Sequence, residues 1–235
     1  MVSIPATNNG SGVFAIVAAY NEADRLAATL AGLAVAFPSA TVLVADDGSS
    51  DATATIAEAG GAAVVRSERM IGKGAAVTLA ARHALERLPG AGGMVAVLCD
   101  GDLGDSAARL GPLVEAVVDG RADVAVAAFS RRVGGGLGLA VGFARWAIRR
   151  RCGLELQAPI SGQRALGPGA LAEVLPFARG FGMEVGMTID AARAGRRVVE
   201  IELDLSHRAT GRSFAGFVHR GGQLLDIVRA YLARR

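Results

Sequence analysis

Along the first half of the chain, short apolar runs alternate with longer stretches of helical spacing. Val13 to Ala19, Thr41 to Ala45, Ala62 to Arg66, Met94 to Cys99 and Asp123 to Phe129 are Val-rich and show little alternation, as strands do when both faces are covered. Between them, Ala23 to Ala36, Ala52 to Ala59, Gly74 to Leu88 and Ser106 to Val118 have the Ala and Leu content of helices. This β-α alternation predicts an α/β fold, a Rossmann-like, mainly parallel central sheet with helices on both faces. Ligands of such sheets sit at the carboxyl edge, so polar residues just after each strand carry the most information. The second half is less regular. Gly134-Gly135-Gly136-Leu137-Gly138 leads into a helix from Leu139 to Arg151, then a loop around Pro159 to Gly169. A helix over Phe181 to Ala194, a strand over Arg197 to Leu205 and a closing helix over Phe214 to Arg235 complete the reading. With no repeat and no linker, residues 1–235 are expected to form a single domain, divided at about residue 129 into two halves of different character.

Composition narrows the class. Half of the 235 residues are apolar (51%), enough for one buried core, and no apolar run approaches the roughly 20 residues of a membrane-spanning helix. Met1 to Gly12 lacks the basic start and apolar stretch of a secretory signal, and two Cys make no disulfide framework. The expectation is a cytoplasmic protein with reduced thiols. Charge divides unevenly: residues 1–120 hold 7 basic and 13 acidic side chains, residues 121–235 hold 18 basic and 9 acidic. An acidic half suits a metal ion and a basic half suits an anionic substrate or surface. Nucleic acid is disfavoured, since aromatics make up 5% of the chain and form no stacking motif. All basic residues but one are Arg, which draws attention to the single Lys73.

Three strand ends carry carboxylates. Tyr20-Asn21-Glu22 follows the first strand, Asp46-Asp47-Gly48-Ser49-Ser50-Asp51 the second, and Asp100-Gly101-Asp102 the fourth. Glu22, Asp46, Asp47, Asp100 and Asp102 on one edge would repel one another without a cation or hydrogen-bond donors nearby. Gly101 lets Asp100 and Asp102 turn the same way, and hard oxygen donors suit Mg²⁺ or Mn²⁺. An Asp-Gly turn followed by a helix cap is the plain structural alternative. Lys73, in Gly72-Lys73-Gly74 at a helix start, sits where backbone N–H groups meet anions, although neither a Walker A loop nor a dinucleotide fingerprint is present. Glu184 falls in an apolar helical setting, where burial would raise its pKa towards base duty or an Arg such as Arg164 would pair with it. Cys99 reads as core packing.

These motifs, in this order, resemble the family 2 glycosyltransferases of GT-A fold, and among them the polyprenyl-phosphate sugar transferases of the dolichyl-phosphate type. The likeness continues through Ser130-Arg131, Ser161-Gly162-Gln163-Arg164-Ala165, Gly182-Met183-Glu184 and His207-Arg208 with Gly211-Arg212-Ser213. Gly104 and Ser106 depart from the polar residue and Pro that often follow the Asp pair. The resemblance implies a metal-dependent transfer of a sugar from a nucleoside diphosphate donor to a polyprenyl phosphate. Residues 1–129 would serve nucleotide and metal, residues 130–235 the acceptor. Tyr20, Asn21, Glu22, Asp46, Asp47, Lys73, Asp100 and Gly101 would line the donor, with Glu22 and Asp47 at the base or ribose. Asp100 and Asp102 would hold the metal, completed by His207. Asp102, Lys73 and Glu184 would carry the chemistry, and Arg131, Gln163, Arg164, Arg208 and Arg212 would hold the acceptor.

Alternatives stay open at this stage. A small soluble phosphorylated or hydroxylic acceptor would keep the donor site and change only the basic half. A sugar-phosphate nucleotidyltransferase and a non-catalytic nucleotide-binding module are readings of other classes. Phe143, Trp146 and Ile148 beside Arg145, Arg149, Arg150 and Arg151 also suit an interfacial helix, which would place the protein peripherally on an anionic membrane, at its inner face; an ordinary amphipathic helix fits equally.

Overall fold

The computed structural model describes residues 12–129, 138–205 and 214–234, and in the last stretch the side chains from residue 224 onward. Ser130, Arg131, His207, Arg208 and Arg212 lie outside the described residues.

Seven strands make one sheet: β1 Val13–Ala19, β2 Thr41–Asp46, β3 Ala63–Arg66, β4 Val95–Asp100, β5 Val124–Phe129, β6 Arg164–Leu166 and β7 Val198–Leu203, in the order β3-β2-β1-β4-β6-β5-β7. The helices are α1 Leu26–Ala36, α2 Thr53–Ala59, α3 Lys73–Arg87, α4 Gly111–Val118, α5 Leu139–Cys152, α6 Ala170–Glu173, α7 Met183–Arg193 and α8 Phe214–Ala233. The five strands expected in the first half appear within a residue or two of their expected bounds. The expected helix over Ser106 to Val118 is split into a 3-10 turn, Gly104–Arg109, and α4, where Pro112 occupies the first turn of α4.

The unbroken apolar runs are explained by burial on both sides. Along β1, Ala15, Val17 and Ala19 join a cluster with Leu26, Leu30 and Leu113 from α1 and α4, while Phe14 and Ile16 face Val77, Ala80 and Met187 from α3 and α7. This period of two divides one strand between two cores. A third cluster joins α5, α7 and α8 through Ala144, Ile148, Val185, Ile189 and Ile227.

The stretch expected as a loop around Pro159 to Gly169 contains β6, antiparallel to both its neighbours. Arg164 pairs with Leu98 on one side and Val126 on the other, which brings the turn before β6 beside the carboxyl end of β4. Parallel register aligns the other tips: Ala19 opposes Asp46 and Ala18 opposes Asp100. The three acidic strand ends therefore share one edge, as expected.

Gly74 lets α3 start against the segment before α7. A Cβ there would stand 1.9 Å from the Ala178 carbonyl oxygen, and backbone cannot yield as a flexible side chain can. We expect Gly74→Ala to cost about 1–3 kcal/mol, visible as a melting temperature lower by several degrees. Gly92→Ala, where a Cβ meets nothing within 4 Å, should stay within about 0.5 kcal/mol of the parent.

Candidate active site

The loops after β1 and β2 are sewn together by side chains. Asn21 adopts a left-handed backbone (φ 54°), which Asn tolerates better than most residues. Its N–H donates to Ser49 Oγ (2.9 Å), and its Oδ1 accepts from the Ser50 N–H (2.8 Å). The Glu22 N–H donates to Thr53 Oγ1 (2.9 Å), whose hydroxyl donates to Asp51 Oδ1 (2.5 Å). Burial alone would push the Asp51 carboxyl up, but hydrogen bonds from Thr53 and Ala23 outweigh it and hold the group below its usual range.

Asp46, expected beside the donor, is fully buried. Its Oδ1 accepts from the Ser49 N–H (2.9 Å) and Ser49 Oγ (2.5 Å), and its Oδ2 lies 3.3 Å from Arg66 Nε without hydrogen-bond alignment. Asp46 thus stands as a post beneath the loop. Asp47 is nearly buried, and its carboxylate accepts from the Ile71 N–H (2.7 Å) and the Gly72 N–H (2.9 Å). It therefore anchors the turn that presents Lys73. Tyr20 is exposed at the rim, and Glu22 packs against Gly101, where a Cβ would come within 3.4 Å of Glu22 Cγ and 3.1 Å of the Ala18 carbonyl.

At the β4 tip, Gly101 donates to the Ala18 carbonyl (2.8 Å) and accepts from Thr29 Oγ1 (2.7 Å), while Arg25 Nη1 donates to the Asp102 carbonyl (3.0 Å). The backbone between the two Asp residues is thus clamped on both sides. Lys73 Nζ stands 2.6 Å from Asp100 Oδ1 and 2.6 Å from Glu184 Oε1, joining β4 to α7. Burial would lower the Lys73 pKa, but the charges of Asp100 and Glu184 overcome that and raise it above the ordinary lysine value, so the ammonium persists. Gln163 Nε2 donates to Asp100 Oδ2 (2.8 Å), and its Oε1 accepts from Ser161 Oγ (3.1 Å). A Cβ on Gly162 would fall 2.6 Å from Asp100 Oδ2 and 2.7 Å from Lys73 Nζ, so a larger residue in this turn would push the ends of those side chains out of their present pairing.

Two expectations change here. The Glu184 carboxylate meets an ammonium rather than apolar surroundings alone, and its bonded cation is Lys73, 111 residues away, not Arg164. Arg164, expected at the acceptor, is 0% exposed; it donates to the Ser161 carbonyl (2.9 Å), Thr188 Oγ1 (2.9 Å) and the Pro159 carbonyl (3.2 Å). Burial draws its pKa down to about 10, against the pull of Glu184 and Glu200. Arg164 shapes the 159–163 turn from below. Gln163, also expected at the acceptor, is 2% exposed and serves Asp100. The roles of Gly162, Ser161 and Thr188 were missed by sequence reasoning, although the first two stand in a motif it singled out. Cys99 is buried and its thiol is pushed far up by burial and the nearby Asp100 charge, consistent with packing.

Asp100 and Asp102 offer hard carboxylate oxygens, a donor chemistry that fits Mg²⁺ or Mn²⁺, and Asp100 already holds one cationic group in Lys73. Among the described residues no three His, Cys, Asp or Glu side chains gather in a metal-holding group, and His207 lies outside them.

Comparison with known proteins identifies the family. Residues 14–150 match glycosyl transferase family 2, a span containing every strand-tip carboxylate described above. The chain is 33% identical over 244 aligned positions to an undecaprenyl-phosphate mannosyltransferase of Micrococcus luteus, covering 95% of each. Glucosyl-3-phosphoglycerate synthase from Mycobacterium tuberculosis, solved with phosphoglyceric acid, is similar at a TM-score of 0.76 and 26% identity, over 97% of this chain and 81% of that one. The same synthase solved with Mn²⁺, uridine diphosphate and phosphoglyceric acid gives 0.76 and 26%, over 97% and 80%. The sheet, the acidic edge and the sequence match agree that this chain belongs to glycosyl transferase family 2 and is a glycosyltransferase of GT-A fold.

Proposed function

We propose that the protein moves a sugar from a nucleoside diphosphate to a phosphate-bearing acceptor, and that this acceptor is a polyprenyl phosphate. The observation that carries the reading is the Lys73 bridge, which ties the donor edge at Asp100 to Glu184 on α7. The undecaprenyl-phosphate relative, matched over 95% of both chains, supports the lipid acceptor. A second reading, a small soluble phosphorylated acceptor, draws support from the synthase solved with phosphoglyceric acid. Both acceptors carry a phosphate, and the basic second half suits either.

In the transfer, the bond from the sugar's anomeric carbon to the diphosphate breaks and one to an acceptor oxygen forms. Tyr20, Asn21, Glu22, Asp47 and Gly101 line the donor side. Asp102, with Asp100 and His207, would hold a divalent cation, whose charge offsets the negative charge gathering on the diphosphate. Lys73 adds a fixed positive charge beside Asp100 and keeps that carboxylate and Glu184 in one orientation. A phosphate monoester has a second pKa of about 6, so as a dianion it attacks without a base. A hydroxyl acceptor instead must lose a proton, and Glu184 would take it. Arg131, Arg208 and Arg212 would grip the acceptor phosphate, while Arg164 and Gln163 set the turn beneath it.

Incubation with labelled nucleotide sugars, Mn²⁺ and either a polyprenyl phosphate or phosphoglycerate tests the acceptor. Label extracted into organic solvent is expected; label appearing only in a water-soluble ester overturns the lipid reading. A true donor at a hundredfold excess over its dissociation constant should stabilise the protein by about 2.7 kcal/mol in the presence of Mn²⁺. Asp102→Ala should abolish that shift while leaving the melting temperature without ligand nearly unchanged. Lys73→Met should lower turnover by about a hundredfold or more. Because the folded Lys73 pKa is raised, the stability it contributes is complete below the unfolded value of 10.5 and is lost only as pH climbs through the higher folded value. The Lys73 ammonium itself should therefore add no slope to the parent's stability from about pH 6 to 9 in denaturant titrations, whereas the gap to Lys73→Met should widen as pH rises and Glu184, left beside Asp100 without its cation, ionises.

A further inference from the structure

Helices α5 and α8 pack together over α7, so they form the layer outside the helix that bears Glu184. Their outward side keeps large apolar groups in water. Leu139 is 66% exposed and Trp146 49% exposed, seven residues apart on α5; Leu225 and Leu232, seven apart on α8, are each about half exposed. Seven residues make nearly two turns, so each pair shares a face. Trp146 is held in place rather than dangling: its ring centroid lies 5.1 Å from Tyr231 and 5.4 Å from Phe143. The Arg151 guanidinium sits 4.0 Å from the Tyr231 ring centre. The charge around this patch has one dominant sign. Between Leu139 and Cys152 there are four Arg and no acid; Arg149 stands 3.4 Å from Glu155 just beyond the helix, and Arg229 on α8, strongly exposed, stands 3.5 Å from Asp226, so basic groups outnumber the acids beside them.

We propose that the outward face of α5 and α8 docks on an anionic phospholipid bilayer, with Leu139, Trp146, Leu225 and Leu232 entering the headgroup boundary and the arginines meeting lipid phosphates. No helix among the described residues is long and apolar enough to cross a membrane, and the contact proposed is one of this helical face with the bilayer surface. A second copy of the chain covers this face less well, because a two-fold contact would set one arginine cluster against its own image. Nucleic acid would use the arginines and leave the leucines in water.

Trp146 is the sole tryptophan of the chain, so its emission reports on this face directly. Vesicles of phosphatidylcholine mixed with phosphatidylglycerol, added to the full chain, should shift that emission to the blue and carry the protein upward in flotation; phosphatidylcholine alone should do neither. Arg149→Gln and Arg150→Gln should each weaken binding about fivefold, the ratio equivalent to about 1 kcal/mol per basic residue near an anionic surface. Leu139→Ser and Leu232→Ser should weaken it with melting temperatures unchanged. Absence of a shift on anionic vesicles, indifference to all four substitutions, or a dimer in sedimentation that vesicles do not dissociate would overturn the proposal. The test separates this surface from the acceptor. A chain that docks yet glycosylates only a soluble ester keeps the surface and loses the lipid acceptor; one that glycosylates polyprenyl phosphate in detergent and ignores vesicles does the reverse.

Discussion

An ammonium group 2.6 Å from each of two carboxylates organises this molecule around its acidic edge. Lys73 opens α3, Asp100 ends β4 and Glu184 lies in the first turn of α7, so one side chain links three elements that are distant in sequence. Without it, Asp100 and the buried Glu184 would face each other across a poorly solvated gap, at a cost of several kcal/mol. Much of the surrounding structure keeps that contact in place. Asp47 fixes the turn before Lys73, Gln163 holds the other oxygen of Asp100, and Gly74 and Gly162 remove the methyl groups that would wedge the elements apart.

The carboxylates of the acidic edge divide their labour in a way that their spacing alone does not reveal. Asp46 through its Oδ1, Asp47 and Asp51 accept from backbone N–H groups and hydroxyls and so fix the loops at the strand tips. Asp100 is neutralised by a side chain of the same protein. Charge that looks excessive in one dimension is thus largely compensated in three, and a metal needs to offset less of it than a count of acids suggests.

The parallel part of the fold was legible in the sequence because strands buried on two faces leave apolar runs that little else produces. The acidic edge followed, since parallel strands end together. β6 was not legible: three residues beginning with a buried Arg have no periodicity, and the strand exists only because β4 and β5 offer it partners on both sides. The Lys73–Glu184 pair was equally hidden, as contact between residues 111 positions apart is decided by helix packing rather than by local pattern. Arg164 misled for a related reason. Arg is usually a surface residue, and here its Nε, Nη1 and Nη2 donate to two backbone carbonyls and a hydroxyl in the interior.

β6 is the shortest strand of the described sheet, with three register partners on either side, yet it ties the chain after residue 138 to the strands before it. The turn that leads into it touches Asp100 through Gln163 and approaches Lys73 at Gly162. Seam and acidic tip therefore coincide. The seating of β6 between β4 and β5 and the orientation of the Asp100 carboxylate are thus linked through a single turn.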